Sequence, residues 1–398
     1  MKYPRFSDAE FQRRNDLARG LMRREGLSAL VIFGNSGINR HNEANIVWLT
    51  NYLDLHHNYL VLPLEGESTL LTGLVNHVPN ARAVSVIADT RWGTYEPANE
   101  IAAKLKKDGL VQGRVGLVGV NATFGMGMPY QHYAALCAAL PGIEWVDVTR
   151  DYARLRVVKS EEEFAWIGIA AGYTDDTVSA LENEIRVGMT EYDLIAIIES
   201  AYRRKGGQPH LSFMRSMPMD APTACVPSQN VTDRVIQKGD VIIMEISASY
   251  WGYSGQIHRP IAVGQDPTPE WQRLYDVGLQ AYERMCDVIR PGATEGDVIK
   301  ASDIIGRSGY RIYDDLIHGY GVDIHPPLID QSCCDYWTSG EPIPAGRTFA
   351  EDMAMVVQPN PITPDERMGL QIGALTRVTK NGAVSLQKYP MKFVVAKG

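Results

Sequence analysis

The sequence predicts an α+β chain of two domains: an α/β domain over residues 1–155, then helices packed on one face of a mostly antiparallel sheet over 156–398. Three observations carry this. Apolar strand-like runs alternate with helix-periodic segments through the first 150 residues. The second half opens on long helices with clear start signals and then turns to paired strands. And 398 residues is ample material for two domains with cores of their own.

The elements follow in order. Ser7-Asp8-Ala9-Glu10 has the form of a capping box, and the apolar spacing after it predicts a helix to Glu25, stopped at Gly26. Ala29–Phe33 reads as a buried strand, and the run NIVWLTNY, Asn45–Tyr52, as a second one. Tyr59–Leu62 and Ser68–Leu71 fit a hairpin around Glu65-Gly66. Pro97–Lys107 and Pro129–Leu140 read as helices, with the strand Val115–Val120 between them. Ser160 with Glu163 is a second capping box, predicting a helix to about Asn183, and Thr190 with Asp193 opens another that stops at Gly206-Gly207. Trp271–Ile289 and Thr294–Ser308 are helical, separated by Pro291-Gly292. Strands are expected at Val241–Ile246, Ile257–Val263, Met353–Val357 and Ala374–Thr379.

Composition narrows the function classes. Hydrophobic residues make up 45% and charged ones 22%, ordinary for a globular protein, and 39 basic against 47 acidic residues give a net charge of −8. That balance disfavours nucleic acid as a partner, and no apolar run is long enough to span a bilayer. The five cysteines are odd in number and lack metal-type spacing, so reduced thiols and a cytoplasmic location are expected.

The informative stretch is Val241–Ala262. A Gly239-Asp240 turn signal precedes a β-branched run, Tyr250-Trp251-Gly252-Tyr253 reads as a tight connection, and a returning strand follows. Such a hairpin brings Glu245 near Gln256, with His258 two residues on and therefore on the same face. With Gly252, Tyr253 and Arg259 in place, this frame resembles the hairpin of the creatinase/prolidase/aminopeptidase P superfamily. The junction Arg156-Val157-Val158-Lys159-Ser160 and the NIVWLTNY run are similar to segments of the same family. The resemblance implies a creatinase-type α/β amino-terminal domain followed by a catalytic domain of the pita-bread fold.

In the metallopeptidases of that family two aspartates, a histidine and two glutamates hold two metal ions. Matched onto this sequence, the aspartate positions hold Glu245 and Gln256, the histidine position holds His318 in HGYGVDIH, and the glutamate positions hold Gln358 and Gly373. Hard divalent cations need anionic oxygen ligands, and neutral amides supply none. No resident metal or other cofactor is therefore expected. The resemblance points instead to the creatinase branch, although Ser228 stands where that branch carries its acid–base histidine, and His258 stands at a position of its catalytic glutamate.

The residues left to move protons are His318 and His258, with Glu245 either orienting a histidine or acting as the base. His325, Gln256 and Gln358 are expected to position substrate, with Tyr253 and Tyr320 as donors to a developing oxyanion and Ser228 beside them. Cys225 is a nucleophile only if a histidine lies within reach. His57 falls about where the family's amino-terminal domain contacts substrate in the partner subunit, so a homodimer is expected. The leading expectation is a metal-independent, creatinase-like enzyme cleaving a C–N bond of a small polar metabolite. A lyase or isomerase, a prolidase-type metallopeptidase and a non-catalytic binding protein stand as alternatives.

Overall fold

A computed structural model describes residues 3–35, 43–121 and 127–398. Its contacts divide the chain into two compact units, residues 1–157 with 322–324, and residues 158–321 with 325–398.

The first unit is built on a six-stranded mixed sheet, in the order Asp89–Trp92, Thr69–Thr72, His57–Pro63, Ala29–Asn35, Gly113–Val118, Ile143–Asp147. Ala29–Asn35 sits inside it, antiparallel to His57–Pro63 and parallel to Gly113–Val118, and is buried almost throughout, which explains its unbroken apolar sequence. The first helix, Asp8–Glu25, is capped as expected: Ser7 accepts from the Glu10 N–H, and Gly26 closes it in the left-handed conformation at φ 64°. Pro97–Lys107 presents Ile101 and Leu105 to a core shared with Val31, Phe33, Val115 and Leu117.

One element differs from expectation. Glu43–Thr50 is a helix, not the strand predicted over Asn45–Tyr52. Ala44–Thr50 are buried without exception, so the run carries no helical periodicity to distinguish it from a buried strand.

In the second unit the helices Glu161–Glu184 and Glu191–Arg203 both start with complete capping boxes, at Ser160/Glu163 and Thr190/Asp193. They pack on Met214, Ile242, Met244 and Ile246 through Val178, Leu181, Leu194 and Ile198. The sheet of this unit has ten strands, with every pairing antiparallel except Ile261–Val263 with Val394–Ala396. Pro260 cannot donate to a ladder, and the returning strand is accordingly split into Tyr253–His258 and Ile261–Val263. The helix predicted over Thr294–Ser308 is likewise two pieces, Glu295–Ala301 and Ile304–Arg307. Gln208–Pro218 is an edge strand along Asp240–Tyr250 that the sequence reading did not find. No helix among the described residues is long and apolar enough to cross a membrane.

Candidate functional site

The hairpin forms in the predicted register. Tyr250 faces Tyr253 across a two-residue turn in which Trp251 (φ 50°) and Gly252 (φ 84°) both take positive φ, the requirement of the tight turns that match strand twist. Ser247 lies opposite Gln256, which puts Glu245, Gln256 and His258 on one face. The Gln256 amide donates to Glu245 Oε1 at 2.6 Å and lies 3.3 Å from His258 Nε2.

The strand Asp315–Gly319 supplies His318, and Ala354–Val357 leads directly into Gln358. Pairing of Asp315–Gly319 with His325–Asp330 shifts between Asp315 and Ile317, so Leu316 is an extra, bulged residue. Residues three apart in a regular strand point to opposite faces; the bulge changes the phase and brings Asp315 beside His318. His318 Nδ1 lies 3.0 Å from Asp315 Oδ2, and its Nε2 lies 3.4 Å from Gln256 Oε1. Gln358 donates to Asp315 Oδ1 at 2.6 Å, and its own carbonyl accepts from Gln256 at 3.5 Å. Asp315, His318, Gln256 and Gln358 thus close a ring of side-chain hydrogen bonds, with Glu245 and His258 attached through Gln256.

The ring fixes charge states. Both nitrogens of His318 face acceptors, which requires the imidazolium. Burial works against that charge, but the carboxylate of Asp315, with Asp314 beyond it, outweighs the burial and raises its pKa above the ordinary value. Glu245 is pushed up to about 8, chiefly by burial and then by Asp314, against the pull of His318 and the Gln256 hydrogen bond. It therefore carries its proton at neutral pH. His258 is driven well below its usual value by burial and by the cations His318 and Arg259. Its Nδ1 has no hydrogen-bond partner among the described residues.

Two metal ions do not fit this donor set. Gln256 and Gln358 are neutral amides engaged with each other, with Glu245 and with Asp315, so they supply no anionic oxygen. At the fifth position a side chain has no room: a Cβ on Gly373 would meet the Val357 carbonyl oxygen at 2.4 Å and Gln358 Cβ at 2.9 Å. Among the described residues no three His, Cys, Asp or Glu side chains come together in a way that could hold an ion.

The remaining candidates are placed as follows. His325 donates from Nδ1 to the Pro326 carbonyl at 2.8 Å, so Nε2 is the acceptor of the buried Lys159 ammonium at 2.6 Å. Tyr320 donates to Ser247 Oγ at 3.1 Å with its ring edge against His318. Tyr253 lies away from the ring: its hydroxyl donates to Glu163 at 2.9 Å. The buried Cys225 thiol is raised by burial and by Glu366, with Arg311 and Asp365 as its other charged neighbours and no histidine among them. Ser228 pairs through its backbone with Met214 and donates to the Asn230 carbonyl at 2.8 Å. His57 belongs to the first unit, where its ring stands 5.5 Å from His132; burial, His132 and His56 lower its pKa. Asp315 and Lys159 are the site residues that sequence reasoning missed. The signal for Asp315 was an aspartate pair three residues before the motif histidine, legible only to a reader expecting the bulge.

Comparison with known proteins places both units. Residues 14–158 match the Creatinase/Prolidase N-terminal domain, and residues 165–380, more than half of the chain, match metallopeptidase family M24. Over 261 residues the chain is 27% identical to the putative dipeptidase YkvY of Bacillus subtilis, covering 65% of this chain and 68% of that protein. Over 246 residues it is 28% identical to the Xaa-Pro dipeptidase of Pyrococcus furiosus, covering 61% and 65%. The crystal structure of dipeptidase PepE from Mycobacterium ulcerans superposes with a TM-score of 0.76 at 25% identity over 99% of this chain and all of that one. The X-Pro aminopeptidase of Thermotoga maritima gives 0.78 at 18% identity, over 96% of this chain and 99% of that one. These relatives overturn the leading expectation from the sequence: those similar in sequence are named dipeptidases and Xaa-Pro dipeptidases, and the creatinase-like reading gives way to the peptidase alternative. The chain belongs to metallopeptidase family M24, with a creatinase/prolidase amino-terminal domain ahead of the pita-bread domain.

Proposed function

We propose that this protein is a hydrolase that cleaves the amide bond of dipeptide-sized substrates. The observation that carries the reading is the agreement of its relatives, named dipeptidases and aligned over 61–72% of the chain. The residues of the hairpin and of Asp315–Gly319 supply the chemistry. Glu245 and His258 are one amide apart, with pKa values pushed in opposite directions, the pattern that separates an acid from a base at one pH. His258, neutral, takes a proton from the attacking water. Glu245, protonated, gives its proton to the leaving amine as the C–N bond breaks. The proton held by His258 then restores Glu245. The His318 imidazolium, oriented by Asp315, and the amide of Gln256 stabilise the charge that develops on the carbonyl oxygen.

The test is a panel of dipeptides with prolyl and non-prolyl second residues, read by chromatographic release of the free amino acids. At least one dipeptide is hydrolysed, and His258→Asn lowers that rate by about 100-fold or more. No release from any dipeptide would refute the reading.

A further inference from the structure

Cys333 and Cys334 are adjacent in the chain, and both are free thiols. They open the short helix Cys333–Ser339, with Cys333 buried and Cys334 half-buried. Their sulfurs meet in a hydrogen bond that sorts the proton between them. That bond lowers Cys334 to about 7, with the Ile312 N–H and Arg311 adding to the effect and burial and Asp335 opposing it. The same bond, together with burial, pushes Cys333 up. Near neutral pH the pair is thus a half-buried thiolate held beside a protonated thiol. Cys225 and Cys286 are raised instead, both chiefly by burial.

The contacts of Cys334 tie the pair to the candidate site. Its sulfur accepts from the Ile312 N–H at 3.4 Å and, when protonated, donates to the Ile312 carbonyl at 3.8 Å. Ile312 belongs to the two-residue strand Arg311–Ile312 and lies opposite Pro361. Ile312 stands three residues before Asp315, and Pro361 three residues after Gln358. Asp315 and Gln358 are two members of the hydrogen-bonded ring that holds His318. A ladder of two residues a side has few bonds of its own, so the sulfur contact matters to where Ile312 sits.

We propose that Cys333 and Cys334 form a peroxide-oxidisable dithiol whose closure slows the neighbouring site. The Cys334 thiolate attacks one oxygen of hydrogen peroxide, the O–O bond breaks, and the other oxygen leaves as hydroxide and takes up a proton to become water. Cys334 is then a sulfenic acid. The Cys333 sulfur attacks it, giving up its own proton, and the S–O bond breaks to release a second water as the S–S bond forms. Two thiols lose two electrons, and one peroxide becomes two waters. Adjacent Cα atoms are about 3.8 Å apart, short of the roughly 4.4–6.8 Å that a relaxed bridge spans, so the ring is strained and thiols reopen it readily. Closing it turns the Cys334 sulfur away from Ile312 and onto Cys333. The oxidation stands on the sulfur contacts; its effect on turnover rests on the dipeptide reading above.

The experiment exposes the reduced full chain to hydrogen peroxide, alkylates it, and reads the tryptic peptide Ile312–Arg347, which holds only these two cysteines, by mass spectrometry. In the wild type the peptide loses about 2 mass units and no longer takes up the alkylating agent, and dithiothreitol reverses both changes. Cys333→Ala stops at a sulfenic acid that dimedone traps on Cys334. Cys334→Ala leaves Cys333 reduced, and Cys334→Ser repeats the test with a second side chain in case alanine does not fold. Dipeptide hydrolysis falls about tenfold or more in the oxidised wild type, returns on reduction, and does not respond to peroxide in the Cys334 variants. A peptide that keeps both thiols in peroxide, or a Cys333 that oxidises as fast without Cys334, would overturn the dithiol. A bridge that forms while hydrolysis is unchanged would overturn its link to the site. A bridge that forms in a protein that hydrolyses no dipeptide when reduced sustains the dithiol and refutes the peptidase reading.

Discussion

Glu245 holds the proton on which the proposed chemistry depends, and the same proton sets how stability varies with pH. Its folded pKa, about 8, lies above that of a carboxyl in the unfolded chain, so the folded state binds more protons between those values. Stability then falls as pH rises from about 4.5 through 8. His318, also raised in the fold, loses its contribution in the same direction. The melting temperature is therefore expected to drop from pH 5 to pH 8.5, and to drop less in Glu245→Gln. Parallel melting curves for the two proteins across that range would show that Glu245 is ionised in the fold. Lys159 carries a second residue-scale prediction. Its ammonium donates to the buried Nε2 of His325, and Lys159→Met removes that donor at a cost of about 1–3 kcal/mol in urea unfolding. A change under about 0.5 kcal/mol would deny the contact any weight.

At the scale of elements, the pairing of Ala354–Val357 with Gly373–Thr379 requires a glycine at 373. Gly373→Ala drives its Cβ into the Val357 carbonyl oxygen and is expected to destabilise the protein by about 1–3 kcal/mol, measured by chemical denaturation; a neutral substitution would mean the strands separate freely there. How legible each element was depended on where its signal lay. Helix starts were readable because caps are local: Ser7, Ser160 and Thr190 each bond a backbone N–H three residues on. The hairpin was readable because Trp251-Gly252 turns it tightly and Gln256 and His258 alternate with buried apolar residues. Glu43–Thr50 was not, because a segment buried all round loses the period that identifies a helix. Asp315 was hidden by a bulge, a feature of strand pairing with no sequence period of its own.

For the whole molecule, the M24 fold surrounds a centre in which two amides, a histidine and an aspartate close a ring of hydrogen bonds and Gly373 leaves no room for a side chain. A ligand that binds only the folded state stabilises it by about 4 kcal/mol at a thousandfold excess over Kd, which a melting curve registers plainly. Added Mn²⁺ or Zn²⁺, or a chelator, is expected to leave the melting temperature within about 1 °C; a rise of several degrees with two ions bound per chain would restore a dinuclear centre. The account as a whole turns on one proton in one place. Its most direct test is the rate of dipeptide hydrolysis at pH 7 by Glu245→Gln against the wild type, with both proteins shown folded by their melting curves. The glutamine keeps the size and the hydrogen bond to Gln256 but has no proton to give, and the expected result is a loss of about 100-fold or more. A variant as fast as the wild type would contradict the account.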